Sequence, residues 1–354
     1  MNKEIFELYT DFLISSFRLT TAVSLSEITD GNVSHDKISR LLREEEFSSK
    51  DLWKHCKKFV REIEDVTGVL VFDDSIVEKA YTDENALIAY HFDHAKNRNV
   101  KGINFITALY YSKDFSIPIA YELVKKELMI VDEKTGNTKR KSSVTKNELM
   151  QKMLAVIIKQ ELKFSHILFD SWYGSADNFI YIHTKLKKKF ISCLKSNRLI
   201  ALSMKDKLKG KWSSIDSIDL ENNVVREVYI QGIEFPFYVC KQVFKNEDGS
   251  TGEIFLCSND SKLNFNDITT IYHKRWKVEE FHKSLKQNAS LGKSPTKTVR
   301  TQSNHFFASL CAFIKLEVLK AKLKIGHFQI KAKIYSLALA SSYNAFSMIS
   351  QNFA

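Results

Sequence analysis

Residues 67–75 read TGVLVFDDS, and residues 165–171 read SHILFDS. Both are short apolar runs closed by a carboxylate and a hydroxyl, the pattern of a buried strand that ends at a polar sheet edge. Aspartate at the mouth of a buried strand carries a desolvation penalty unless it caps a helix, pairs with a cation or binds a metal. Where two such strands are neighbours and parallel, their ends emerge at the same edge of the sheet, the place where α/β proteins collect ligands. Helix capping is the plain alternative for Asp170, because SWYGSADNF leads into a helical pattern. In the pair Asp73-Asp74, successive side chains point to opposite faces, so only one of the two can face a shared site.

A third carboxylate is offered by YHKRWKVEEFHKSLK, Tyr272 to Lys286. At about 100° per residue from Tyr272, Arg275 falls near 300°, Glu279 near 340° and Lys286 near 320°, all on one polar stripe. Ile271, Val278, Phe281 and Leu285 gather on an arc of roughly 180° to 260°, the apolar face of a packed helix. Glu280 points elsewhere, near 80°. A solvated surface helix laced with ion pairs fits the same pattern. If Glu279 is functional, Asp170 and one of Asp73 and Asp74 are its natural partners, and three carboxylates suit Mg²⁺, a hard ion satisfied by a few oxygens plus water and phosphate.

The charge distribution supports a polyanionic partner. The net charge is +11. Residues 272–337 hold fourteen Lys/Arg against three Glu and no Asp, and residues 183–211 hold ten against Asp206 alone. Cations along a phosphate chain release condensed counterions on binding. Residues 1–66, by contrast, net −3. Five widely spaced cysteines (Cys56, Cys193, Cys240, Cys257, Cys311), with no CxxC pair, indicate neither a disulfide framework nor a zinc ribbon, and a reduced cytoplasmic setting is expected. No uncharged run is long enough to span a membrane, and the N-terminus lacks the design of a signal peptide.

The periodicity divides the chain into five parts. Residues 1–66 read as helical, with SLSEITDG and SHDKISRLLREE spaced around Gly31-Asn32-Val33 like a helix-turn-helix, Ser34 placed to cap the second helix, and Lys37, Arg40 and Arg43 as DNA contacts. Residues 67–197 read β-β-β-α-β-α-β, residues 198–258 as a β-rich insertion, residues 259–300 as the end of the core with the Glu279 helix, and residues 301–354 as helical.

Tyr272, Arg275, Glu279 and Lys286 reproduce the Y-x2-R-x3-E-x6-K signature of the bacterial insertion-sequence-four group of DDE transposases, and FDDS and ILFDSWYGSAD resemble that group's two aspartate motifs. The resemblance runs from about Gly68 to Lys286. It implies an α/β, ribonuclease-H-like core, a mixed sheet flanked by helices, interrupted by a β-rich insertion and preceded by an N-terminal helical domain. It implies cut-and-paste transposition: metal-dependent cleavage and strand transfer at insertion-sequence ends, with Asp74, Asp170 and Glu279 as the catalytic, metal-holding triad. Asp74 is preferred because the group's first aspartate is commonly followed by Ser or Thr, with Asp73 as the alternate. Two Mg²⁺ ions are expected, with Mn²⁺ able to substitute. Tyr272, Arg275, Lys286 and Lys283 would contact double-stranded DNA, terminal inverted repeats and target alike, with a homodimer holding two ends and the protein nucleoid-associated when bound. The group's better-known members carry a tryptophan in the last strand of the insertion to hold a flipped base; GEIFLCS has none, and Trp212 is the nearest substitute.

Other chemistries find less support. His91 and His94 lack a third ligand at telling spacing. No nucleophile elbow and no phosphate-cradling glycine loop is present. A glycosidase would use two carboxylates but leaves the surrounding cations unexplained. A ribonuclease-H-like nuclease without strand transfer, or a domesticated DNA-binding protein, are the remaining alternatives.

Overall fold

The computed structural model describes residues 3–351 apart from 95, 132, 134, 135, 246 and 247. Four helices open the chain, α1 (Lys3–Ser15), α2 (Ala22–Ile28), α3 (His35–Glu44) and α4 (Ser49–Ile63). Four strands follow, β1 (Val69–Glu78), β2 (Ala89–Asp93), β3 (Arg98–Ser112) and β4 (Phe115–Leu123), then a hairpin of β5 (Leu128–Val131) and β6 (Thr138–Lys141). Helix α5 (Lys146–Ile158) leads to β7 (His166–Phe169); α6 (Ala176–Ile180), continued by a π-helical turn Tyr181–Lys185, leads to β8 (Phe190–Leu194). The capping box of Thr145 with Glu148 starts α5, and Ser175 caps α6 by accepting from the Asn178 amide.

The central strands lie in the order β4-β3-β1-β7-β8, with β1, β7 and β8 parallel and β3 antiparallel to both of its neighbours. This is a ribonuclease-H-like sheet. Two elements went unforeseen. Strand β2 pairs with the first part of β3, end to end with β4, and the β5–β6 hairpin stands beside it.

The insertion comprises β9 (Leu199–Ala201), α7 (Met204–Leu208), β10 (Ser213–Ser214), β11 (Val225–Ile230), β12 (Phe237–Lys245) and β13 (Thr251–Ser258). It does not stand off from the core. Strand β13 pairs antiparallel with β8, so the same sheet runs on through β12, β11, β9 and β10 to eleven strands.

Helix α8 (Phe265–His273) follows, started by the capping box of Asn264 with Asp267, then a 3₁₀ turn Lys274–Trp276 and α9 (Lys277–Gln287). The single helix expected over Tyr272–Lys286 is therefore broken at Lys274–Trp276. Helices α9 and α10 (Val299–Leu323) cover the sheet face that carries Phe105 and Thr107: Phe105 meets Phe306 of α10 at 4.8 Å between ring centres, and the Thr107 hydroxyl lies 3.3 Å from Nε2 of His282. Helix α5 lies against the opposite face.

Helix α10 also receives the N-terminal helices. Tyr9 bonds Nδ1 of His305 at 2.8 Å, the Asn304 amide donates to the Leu42 and Glu45 carbonyls, and Phe47 stacks on Phe307 at 4.3 Å. One apolar core runs from Ile5 to Ile330 through all five expected parts. Deleting residues 1–66 would thus strip α10 of its cover, and point changes are the cleaner probe of the α2–α3 pair. Residues 29–34 join that pair, with a left-handed Gly31 (φ +75°) in the turn. Ser34 sits at the N-cap of α3 without a side-chain cap bond. Helix α11 (His327–Gln351) buries only His327 and Ile330 among its described residues. No helix among the described residues is long and apolar enough to cross a membrane.

Candidate active site

The pleat of β1 sends Asp73 and Asp74 to opposite faces, each toward a different helix. Asp73 faces α9: its Oδ2 lies 3.6 Å from Nη1 of Arg275, which lies 3.7 Å from Oε1 of Glu279. Oxygens of Asp73 and Glu279 and a ring nitrogen of His282 all lie within 4.8 Å of one another. Asp74 faces α5, where Oδ2 accepts from Lys146 Nζ at 2.6 Å and from Asn104 Nδ2 at 3.1 Å, and Oδ1 accepts from the Tyr173 hydroxyl at 2.9 Å. The geometry and the serine that follows Asp74 thus favour different members of the pair.

Asp170 leaves the end of β7 beside β1. Its Oδ1 accepts the amides of Trp172 (3.0 Å) and Tyr173 (3.4 Å) in a tight turn. It does not cap α6, a role taken by Ser175. Glu279 occupies the first turn of α9, where the helix dipole favours a carboxylate. The 3₁₀ turn sets Arg275 inward, and Lys286, two turns further along α9, donates to Ser75 Oγ at 2.7 Å. Asp73, Asp74, Asp170, Glu279, Arg275 and Lys286 all line one cleft of about 510 Å³.

Carboxylates crowd one another in this cleft. Burial, then Asp170 and Asp74, push the Asp73 carboxyl up to about 8 against the pull of Arg275, with Glu279 adding to the rise. Burial also raises Asp170, although the Tyr173 and Trp172 amides oppose it. Arg275 is held above its ordinary value: burial alone would lower it, but Tyr272, Asp73, Asp170 and Glu279 together outweigh that. Asp73, Asp170 and Glu279 gather about the Arg275 guanidinium while Asp74 turns to Lys146, and hard oxygen donors in that number suit a divalent cation such as Mg²⁺.

Glu280 turns away from the cleft, exposed and paired with Lys277 at 2.9 Å. Lys283 also leaves it: its ammonium lies 5.4 Å over the Phe328 ring, on the side of α9 that faces α10 and α11. Tyr272 is buried in an adjoining cavity with Asp170, Cys193 and Trp276. Lys37, Arg40 and Arg43 lie on α3 and do not line the cleft; Arg40 and Arg43 both approach Glu44, at 3.6 and 3.4 Å. Trp212 does not line it either.

Several cleft residues escaped the sequence reading. Trp172, directly after Asp170-Ser171, lies exposed at the rim with Lys146 and Lys195 over its ring at 5.8 and 5.2 Å and His94 against it at 4.8 Å. Its adjacency to Asp170 was the available signal. His282 reads as one more polar residue of a charged helix, yet it is buried against Thr107, and burial pushes its imidazole down to about 3.

The sequence profile of the family described as "DDE superfamily endonuclease" matches residues 3–206, and that described as "Transposase DDE domain" matches residues 126–314. The first spans Asp73 and Asp74, the second Glu279, and both span Asp170. No curated protein matches the sequence. Among solved structures, an endonuclease V from Bacillus subtilis aligns at 10% identity over 69% of this chain and 98% of that chain, with a TM-score of 0.27, a likeness too slight to define fold or reaction. Each of the two profiles covers more than half of the 354 residues, and the chain belongs to the DDE superfamily of endonucleases and transposases.

Proposed function

We propose that this protein is a DNA transposase of the insertion-sequence-four group that cuts phosphodiester bonds at the ends of its element and transfers them to target DNA. The observation that carries this reading is the convergence of Asp73, Asp170 and Glu279 around Arg275, where burial and the neighbouring carboxylates push the Asp73 carboxyl up to about 8. Asp73 is our choice for the first aspartate of the triad. Asp73, Asp170 and Glu279 would hold one or two Mg²⁺ or Mn²⁺ ions, which when bound supply an activated water and stabilise the leaving oxygen. Arg275 and Lys286 flank the carboxylates and would grip the non-bridging oxygens of the scissile phosphate. The bond from Lys286 to Ser75 aims the ammonium into the cleft. Asp74 holds Lys146 and Tyr173 in place and so sets the far wall. Lys37, Arg40 and Arg43 would read the terminal inverted repeat, and a dimer would bring two ends together.

The test uses a linear duplex that carries the DNA flanking the gene. With Mg²⁺ the protein should nick it at the element end and join the freed strand to a second duplex; with EDTA it should do neither. Absence of metal-dependent nicking sinks the enzyme reading, and nicking without joined product reduces it to a nuclease.

A second expectation concerns the cations. Lys286→Ala should weaken DNA binding and lower the slope of log affinity against log salt by about 0.9, the counterion equivalent of one phosphate contact. Arg275→Ala should do the same and also weaken nicking beyond its effect on binding, because it removes the one guanidinium among the carboxylates. An unchanged slope for both variants would place the backbone elsewhere.

A further inference from the structure

The edge strand β2 connects the cleft to a second cavity. Phe92 lines the cleft, and Tyr90, on the same face of β2 by alternation, lines a cavity of about 630 Å³ beside the β5–β6 hairpin. Among the described residues that line it, that cavity gathers Lys126, Lys139, Arg140 and Lys141 with the carboxylate of Glu84. Lys126 Nζ donates to the Tyr90 carbonyl at 2.5 Å, which anchors the hairpin's base to the strand edge. His91, between Tyr90 and Phe92 in sequence and buried on the inner face of β2, has an Nε2 with no hydrogen-bond partner among the described residues. Like charges crowd here. Lys126 is pushed below its ordinary value by burial first and then by Lys146, with Lys139 adding and Glu84 opposing. Such packing is unfavourable in the free protein and is relieved by a polyanion.

We propose that this basic cavity is a second backbone site, which takes the phosphates of the DNA strand leaving the cleft along the outer face of β2. Two residues of strand span about 7 Å, and duplex DNA rises about 3.4 Å per nucleotide of one strand, so a strand that passes Phe92 reaches Tyr90 and the basic cavity about two nucleotides further on. Three of the four cations sit on β6 and the fourth, Lys126, at the hairpin's base, a segment with no part in the carboxylate cluster. The inference rests on DNA being the substrate, as proposed above, but not on the chemistry of the cut.

The experiment measures binding of a fluorescent linear duplex in metal-free buffer across a range of salt, for the parent, for the triple variant Lys139→Gln/Arg140→Gln/Lys141→Gln, and for a rescue variant Lys139→Arg/Lys141→Arg. The triple variant should lose about two to three units of salt slope and about tenfold or more in low-salt affinity, while the rescue variant matches the parent. A control, Lys152→Gln/Lys159→Gln/Lys163→Gln, removes three exposed lysines on and after α5 and should leave the slope unchanged. Equal slopes for parent and triple variant overturn the inference, as does an equal drop in the control or a parent that binds no DNA. A parent that shows the slope difference but never nicks DNA retains this contact and loses the transposase reading; one that nicks with no slope difference does the reverse.

Discussion

Glu279→Gln should lower Mg²⁺-dependent nicking by about a thousandfold or more, on the order of 4 kcal/mol of transition-state stabilisation, while DNA binding persists. The substitution keeps the size of the side chain and its place in the first turn of α9, and removes only the charge that a hard divalent ion requires. Glu280→Gln is the matched control. Its carboxylate is two-thirds exposed and engaged with Lys277, an exposed pair of the kind that contributes little. It should nick at the parent's rate. Because the two glutamates are adjacent and alike, a generic effect of lost charge on folding or DNA affinity would appear in both. If Glu280→Gln is inactive and Glu279→Gln is active, the helix has been read in the wrong rotation and the proposed site falls with it.

That rotation was legible in the sequence because it depends only on helical periodicity and on an apolar arc formed by Val278, Phe281 and Leu285, all of them buried. The break at Lys274–Trp276 was not legible. No glycine or proline marks it, and the flanking residues His273 and Lys277 have ordinary right-handed helical angles, so only the hydrogen-bond register changes there. The strands ending in Asp73-Asp74 and Asp170 could be read from their apolar runs, but a pleat says only that neighbours diverge. Which of Asp73 and Asp74 faces Glu279 depends on which side α9 packs, and that is fixed by contacts more than a hundred residues away, such as Thr107 with His282.

The missed strand and the attached insertion have a related cause. The residues of β2, AYHFD, are few and half polar, and they become a strand through pairing with Arg98–Gly102. The alternation in the insertion correctly signals strands, yet nothing local specifies that β13 will pair with β8 and extend the core sheet. The basic hairpin went unremarked for a simpler reason. Lys139, Arg140 and Lys141 are a short charge run that reads as a solvated turn until the fold sets Lys126, distant by more than ten residues, in the same cavity.

The choice between Asp73 and Asp74 can be decided by pH and metal together. In the metal-free protein Asp73 titrates near 8, far above its ordinary 3.8, so the folded state binds a proton that the unfolded chain has released. A group raised in this way contributes its full stability below about pH 4 and loses it progressively as pH rises to about 8. Asp73→Asn removes the titration. Above pH 8, without metal, this variant should therefore melt higher than the parent, by about 2–5 °C, and the difference should shrink as pH falls toward 5. Mg²⁺ should raise the melting temperature of the parent, with an affinity that climbs with pH up to about 8 because binding expels the Asp73 proton. Asp73→Asn should lose both that shift and nicking. Asp74→Asn should behave in the opposite way: Lys146 and Tyr173 lose their carboxylate partner, so the variant should melt lower than the parent at neutral pH while it keeps its response to Mg²⁺. Melting curves with Mg²⁺ and with EDTA at several pH values decide the matter. If Asp74→Asn abolishes the Mg²⁺ response and Asp73→Asn preserves it, Asp74 is the metal ligand and the serine that follows it was the better guide than the direction of the pleat.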